Sequence, residues 1–530
     1  MFRERKLSDK NFLKQHYVSI LRVAAISASI IAVISVIIAV RCTGQKEVSF
    51  NQEWVSFNSQ EILYAINILK ELGFPVKSAD EISMKDMLKA LCKLNIRENR
   101  YEDIANSIEN LSDKNTYQKQ FPLIFSEKTA NIELPEIRNY QYEIVNKGEE
   151  TIIGPILYQK YLWDTVQNLI ASAGYNSIAD ETERAKAIWR FMVTNRYHFA
   201  PVTEGEEEHD IIKYICIYGY GLCDDTAGNL SKLAEMTGFK ARTWVIGEGR
   251  HLVSEIYANG KWRMFDADRD IYFYDRMSGE LYGVEEISQA GNLSRVGFYT
   301  NRRKDILKTE EISFYTSGRK KILKSARADH KIRYCLRPRE KIVFMNRNIG
   351  KYFLGKYPQN IPEYYNGFFD YHLNAADLNP VSGKVSIKET GDGIVIANDF
   401  YKEGSAEVNF KSSFPFVGGS ISGSVRSEGD TELLLTDQAN NITHHYKLTS
   451  DFNLTTDAFF AVLTPSPTYT YSVIFRLKAD SSVHLSSFRV KTYFQFAKTV
   501  LLNLHKGQNS INIHFPDKKK GEIEASVRTD

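Results

Sequence analysis

The chain is 530 residues long, three to four times a typical domain, which excludes a single-domain reading. With 43% hydrophobic, 25% charged and 12% aromatic residues and only 13 prolines, it is neither mainly disordered nor collagen-like. A formal charge of +3 gives no signal for nucleic acid, and five cysteines, an odd number, exclude a fully paired disulfide scaffold.

In chain order, a basic tail over residues 1–22 precedes an apolar run from Val23 to Val40 flanked by Arg22 and Arg41. At about 1.5 Å per helical residue the run covers roughly 27 Å, near the hydrocarbon thickness of a bilayer. It is therefore expected to be a transmembrane helix over 23–41. The excess of Arg and Lys before it predicts a cytoplasmic N-terminus, a single-pass cell-membrane location and an extracytoplasmic bulk, periplasmic or at the cell surface.

Residues 50–150 are expected to be helical. Ile62, Ala65, Ile66, Leu69 and Leu72 recur at helical spacing, and a second helix opens at Ser83, with Cys92 near its apolar face. Further helices are predicted from Ile156 to Ala173 and after Asp180, an N-cap, with Ala185, Ile188, Trp189 and Met192 on one face. Over 301–375 a basic connector, including Arg302, Arg303, Lys304, Arg319, Lys320 and Lys321, leads to a hairpin-like pair on either side of Pro338. Over 376–530, short alternating runs separated by Gly, Asn, Asp and Ser predict an antiparallel β-sandwich. The fold class expected is thus α+β, with the chemistry in a core over 151–300.

Within that core, Gly219 and Gly221 allow a sharp turn before Cys223. Ala227, Leu230 and Ala234 then make an amphipathic helix ended by Gly238. Cys223 falls at the helix N-terminus, where peptide dipoles favour a thiolate; Asp224 and Asp225 oppose it, so an imidazolium partner is required. Asn259-Gly260 between two alternating runs predicts a two-residue hairpin, which sets Val253 opposite Asp266 and His251 opposite Asp268. His251, Asp266 and Asp268 then share a face, and either Asp could orient the imidazole. Cys, His and Asp in this order form a nucleophile, base and orienter.

The Gly221-Leu222-Cys223 stretch with Ala227, the Gly238–Arg242 segment, His251 with Glu255 and Tyr257, and Trp262 four residues before Asp266 resemble the transglutaminase-like superfamily, a papain-type cysteine fold with bacterial envelope members. The resemblance covers roughly residues 155–275. It implies a triad of Cys223, His251 and Asp266 and prefers Asp266 to Asp268. Leu222 stands where animal transglutaminases have Gln. The implied function is acyl transfer on peptide or protein amides, as a peptidase, amidase or cross-linker. The alternative is an inactive scaffold whose C-terminal strands bind a cell-surface glycan, for which exposed aromatics would be the sign. No cofactor and no metal are expected: the run Glu204, Glu206, Glu207, Glu208, His209, Asp210 lacks calcium-loop spacing and reads as a solvated loop. Cys216 and Cys335 are expected in the core.

Overall fold

The computed structural model describes residues 119–529 apart from 200–206, 291–292, 301–308, 323–325, 354–363, 400–401, 449, 461–465 and 518–520. The chain divides into two compact units, one of Met1–Thr116, Pro358–Ile361 and Asn453–Thr455, the other of Tyr117–Tyr357, Pro362–Phe452 and Thr456–Asp530. Nearly all described residues belong to the second.

That second unit is built mainly of strands: 49% strand against 19% helix corrects the expected α+β class. Its longer helices lie around the core over 166–316. The principal ones are α1 (Val166–Ala173), α2 (Glu181–Thr194), α3 (Cys223–Met236) and α4 (Thr309–Thr316). Each has a local cause. Thr165 Oγ1 accepts from Asn168 N at 3.1 Å, and Asp180 accepts from Glu183 N at 2.8 Å, so both helix starts are capped by side chains. The longest helices here, of 14 residues, reach about 21 Å, short of a bilayer. Among the described residues no helix is long and apolar enough to cross a membrane, a finding against the expected membrane anchoring and single-pass cell-membrane location. The apolar run over 23–40, the predicted helices over 61–91 and Cys92 lie outside the described residues.

Around the site, six strands matter: β1 (Tyr197–His198), β2 (Tyr220–Gly221), β3 (Lys240–Ile246), β4 (His251–Ala258), β5 (Lys261–Phe265) and β6 (Lys320–Ile322). The first two form a parallel pair, and the others an antiparallel sheet in the order β5-β4-β3-β6. The β4–β5 turn is the two-residue Asn259-Gly260 hairpin, with φ of +49° and +77°, the left-handed pair that a type I′ turn requires. Lys261 pairs with Ala258 as expected, but the ladder stops at Phe265 opposite Ser254, and Asp266 bridges instead to Ile271. Asp268 therefore never comes opposite His251.

Helix α3 packs its Leu230, Leu233 and Ala234, all fully buried, on β3 and β4. On the other side a cluster of Trp244, Ile246, Val253, Met264, Phe273, Ile312 and Tyr315 joins the sheet to α4. Of the basic connector, the described α4 packs on this core, because Ile312 and Tyr315 carry an apolar face between the charges, and β6 pairs with β3; Arg302, Arg303 and Lys304 lie outside the described residues.

Beyond the core, one antiparallel ladder runs Lys119–Pro122, Ile523–Thr529, Tyr140–Asn146, Lys341–Met345, Tyr365–His372, Ser481–Phe496, Glu403–Glu428, Thr468–Lys478, Thr431–Asp437, Ile442–Lys447. It corrects three expectations. Residues 119–146 are strands rather than helix. The C-terminal strands are not a separate sandwich, because Ile523–Thr529 pairs with both Lys119–Pro122 and Tyr140–Asn146. Pro338 does not centre a hairpin: Cys335–Leu336 pairs with Ile152–Ile153 while Lys341–Met345 pairs with Tyr140–Asn146, the chain changing direction at Arg339, φ +65°. Likewise Ile156–Tyr158 is a strand, and the helix expected from Ile156 begins only at Val166. Cys335, expected in the core, is exposed, because in its two-residue strand the inward position belongs to Leu336.

Leu230→Ala leaves a cavity under the nucleophile helix and is expected to cost about 2–5 kcal/mol in urea unfolding.

Candidate active site

Cys223 is the first residue of α3, half-buried, and enters from β2 through an extended Leu222. The turn depends on two glycines. Gly219 has φ +71°, and a Cβ on Gly221 would come within 2.7 Å of Tyr214 Cε2 and 2.8 Å of Asp225 Cβ. Asp225 Oδ2 accepts from Leu222 N at 2.9 Å, closing the helix start, while Thr226 Oγ1 donates to Leu222 O at 2.8 Å. As the first helical residue, Cys223 keeps its N–H without an intrahelical acceptor.

His251 opens β4 and is almost completely buried. One ring nitrogen, Nε2, lies 2.6 Å from Asp266 Oδ2, and the Cys223 side chain is near enough to add to the rise of the ring's pKa. All three residues picked from the sequence are therefore brought together, with His251 between the thiol and the carboxylate. The other carboxylate, Asp268, is elsewhere: its Oδ1 lies 2.8 Å from Arg196 Nη1 and Nη2 and 2.8 Å from His198 Nδ1.

Asp266 is 1% exposed, and burying a carboxylate is costly unless it is fully partnered. It is. Besides His251, its Oδ2 accepts from Tyr315 OH at 2.5 Å, and its Oδ1 accepts from the amides of Asp268 at 3.0 Å and Arg269 at 2.8 Å. Its backbone carbonyl accepts from Trp189 Nε1 at 3.1 Å. Burial pushes the carboxyl up, but the His251 ring, the Tyr315 hydroxyl and the Arg269 amide together hold it below its usual range. For His251, burial favours the neutral ring; the Asp266 charge and hydrogen bond, with Cys223 adding to them, outweigh it and carry the pKa from 6.5 up to about 10. That direction favours the imidazolium at neutral pH.

Tyr315 and its neighbour Phe314 were not singled out by the sequence. Both rings flank His251, at centroid distances of 6.3 and 5.9 Å, and Arg269 stacks its guanidinium 4.3 Å over Phe314. The available signal was Ile312 and Tyr315 at i, i+3 after Thr309-Glu310-Glu311, a helix opening obscured by the surrounding Lys and Arg.

The acidic run is less solvated than its charge suggests. Glu208 and Asp210 are buried. Asp210 caps Ile211–Lys213 through the amides of Ile212 and Lys213 and also accepts from those of Asp329 and His330. Glu207 accepts from Lys213 Nζ at 2.6 Å and from the hydroxyls of Tyr218 and Tyr469. Glu204 and Glu206 lie outside the described residues. His209, Asp224 and Asp225 place potential ligand atoms within 4.8 Å of one another, but Asp225 is already committed to the Leu222 amide and, at 2.9 Å, to His209 Nε2. Cys216 is buried, as expected, in the π-helical turn Tyr214–Tyr218, and burial pushes its thiol well up.

Among the described residues between 402 and 496, no aromatic side chain is exposed: Phe410, Phe414, Phe416, Tyr471, Phe475, Phe488, Tyr493, Phe494 and Phe496 are buried.

Tyr315→Phe removes a hydrogen bond to a buried charged group. It is expected to cost about 1.5–3 kcal/mol in urea unfolding; a change below about 0.5 kcal/mol would mean that the carboxylate does not depend on the hydroxyl.

No family model matches the chain, and no curated protein does. Among solved structures, it is similar to the enzymatically active domain of tailspike protein 4 of bacteriophage CBA120, at 12% identity and TM-score 0.18 over 22% of this chain and 19% of that one. It is similar to a mutant of a family 29 carbohydrate-binding module, at 14% identity and TM-score 0.17 over 22% of this chain and 76% of that one. It is also similar to a TGase, at 15% identity and TM-score 0.18 over 31% of this chain and 42% of that one. The chain thus spans under half the length of the tailspike and TGase chains. Scores this low carry no argument about fold or function.

Proposed function

We propose that the chain is a cysteine acyl-transfer enzyme acting on peptide or protein amides, with Cys223 as nucleophile, His251 as general acid and base, and Asp266 as orienter. The observation that carries this reading is the position of the His251 ring, 2.6 Å from a fully partnered buried carboxylate on one side and close enough to the thiol at a helix start on the other for Cys223 to help raise the ring's pKa. An imidazolium beside a thiol supplies the positive partner that a thiolate nucleophile needs.

In the reaction, Cys223 sulfur attacks the amide carbonyl carbon and the carbonyl oxygen becomes an oxyanion, to which the Cys223 N–H donates. The C–N bond breaks as His251 passes its proton to the leaving amine, leaving a thioester on Cys223 and a neutral imidazole. A water or amine acceptor then attacks the thioester, giving up a proton as the C–S bond breaks and the sulfur leaves as thiolate, and the His251 imidazole takes up a proton to restore the starting pair. Water gives hydrolysis and an amine gives transamidation.

The rival reading, an inactive scaffold for glycan, draws on exposed aromatics as stacking planes, and the buried aromatics between 402 and 496 give it no support.

Alkylation by iodoacetamide at pH 7 tests the proposal. Cys223 is expected to label faster than Cys216 and Cys335 by at least about tenfold, and to lose that advantage in His251→Ala, since thiolate character sets the rate. Equal labelling of the exposed Cys335 and Cys223, unaffected by His251→Ala, would sink it.

A further inference from the structure

Asp268 was a candidate orienter for His251, yet it is held by a different set of groups. Its carboxylate is buried, with a side-chain exposure of 6%, against the guanidinium of Arg196, whose side chain is fully buried. Arg196 Nη1 also donates to Ala267 O at 3.0 Å, so the cation is fixed to the same turn that carries Asp266. What Asp268 offers outward is directed at His198: Nδ1 lies 2.8 Å from Oδ1 and 3.0 Å from Oδ2. The His198 side chain is 53% exposed, and among the described residues Nε2 has no partner. A carboxylate held by a buried cation and presenting an imidazole with its second nitrogen open to solvent is a second His–Asp pair, and the mechanism above leaves it unused.

Its position is specific. β1 and β2 are parallel, His198 pairs with Gly221, and Phe199 N donates to Gly221 O at 3.2 Å. Gly221 is two residues before Cys223, and Leu222 between them is extended. With strands about 4.8 Å apart and about 3.3 Å per residue, ladder geometry puts the His198 Cα roughly 8 Å from that of Cys223, a gap that an imidazole and an acyl group can close from opposite sides. The two pairs also share one turn, since the Asp268 amide donates to Asp266 Oδ1 at 3.0 Å.

The geometry points to His198, oriented by Asp268, as the acceptor-side base of the acyl-transfer reaction. This rests on the proposed function and adds a division of labour: His251 serves the attack of Cys223 and the leaving amine, and His198 serves the acceptor. In the second half-reaction a protic acceptor, water or a primary amine, gives its proton to His198 Nε2. The new C–O or C–N bond forms as the C–S bond breaks, and the sulfur leaves as thiolate. The acquired proton is released to solvent through the exposed ring.

The test is p-nitrophenyl acetate turnover by the full chain, with and without added ethanolamine. The unmodified protein is expected to release nitrophenolate in a Cys223-dependent burst, which reports acylation, followed by a slower linear phase, which reports resolution of the thioester. His198→Asn is expected to keep the burst and the iodoacetamide reactivity of Cys223. Its linear phase should fall about a hundredfold or more, the low end for loss of a general base, with acetylated Cys223 accumulating in intact-mass spectra. A fall in both arms identifies a base used by water and amine alike, and a fall only with ethanolamine identifies one reserved for amines. A normal burst with a linear phase within about twofold in both arms overturns the role of His198 alone. So does a parallel loss of burst and linear phase in His198→Asn, which would mark the residue as structural. Absence of a Cys223-dependent burst in the unmodified protein overturns the acyl-transfer reading itself.

Discussion

The ion pair between His251 and Asp266 is the interaction on which the rest of the site depends. Both side chains are almost wholly buried, at 4% and 1% exposure, so neither charge is stabilised by water. A buried pair of this kind is weak evidence for stability, because desolvation offsets much of the Coulomb attraction; it persists only where further hydrogen bonds complete the carboxylate. Here they come from two separate places in the chain: the Tyr315 hydroxyl, and the adjacent amides of Asp268 and Arg269. The carboxylate is built into a turn and covered by a helix, and the imidazolium it holds is the group that meets Cys223.

That arrangement fixes what surrounds it. The turn after β5 must leave the ladder at Asp266, or its amides could not face the carboxylate, and this also carries Asp268 away toward Arg196 and His198. Helix α4 must pack on the sheet to deliver Tyr315, which accounts for Ile312 and Tyr315 in the same apolar cluster as Val253 and Met264. The nucleophile loop is braced from the large sheet as well. Ala497 N donates to Cys216 O at 2.8 Å, a Cβ on Gly219 would come within 2.9 Å of Ala497 Cβ, and Tyr469 reaches Glu207 just before the loop. The C-terminal strands therefore help to shape the turn that presents Cys223.

Much of the site was legible because its signals are local. Glycines before Cys223, helical spacing after it, and Asn259-Gly260 between two alternating runs each fix a short piece of backbone, and together they bring Cys223, His251 and Asp266 close. What the sequence could not display was what depends on distant pairing. Extrapolating the hairpin register past Phe265 put Asp268 opposite His251, whereas the chain breaks register there to satisfy the Asp266 carboxylate. Tyr315 was hidden because a charge-rich stretch masks a two-residue apolar face. The large sheet was misread as a separate domain because the pairing of Ile523–Thr529 with Tyr140–Asn146 spans almost the whole described chain and leaves no mark on either strand alone. The predominance of strand over helix follows from the same closure, which made strands of residues 119–146 where helix was expected.

The most direct test of the account is the titration of the His251 ring, followed by NMR in protein carrying isotope-labelled histidine and assigned with His251→Gln. The account predicts that the ring stays protonated at pH 8, with a midpoint near about 10, and that replacing the carboxylate in Asp266→Asn brings the midpoint down sharply. A His251 ring that titrates near 6.5 in the unmodified protein and does not respond to Asp266→Asn would contradict it.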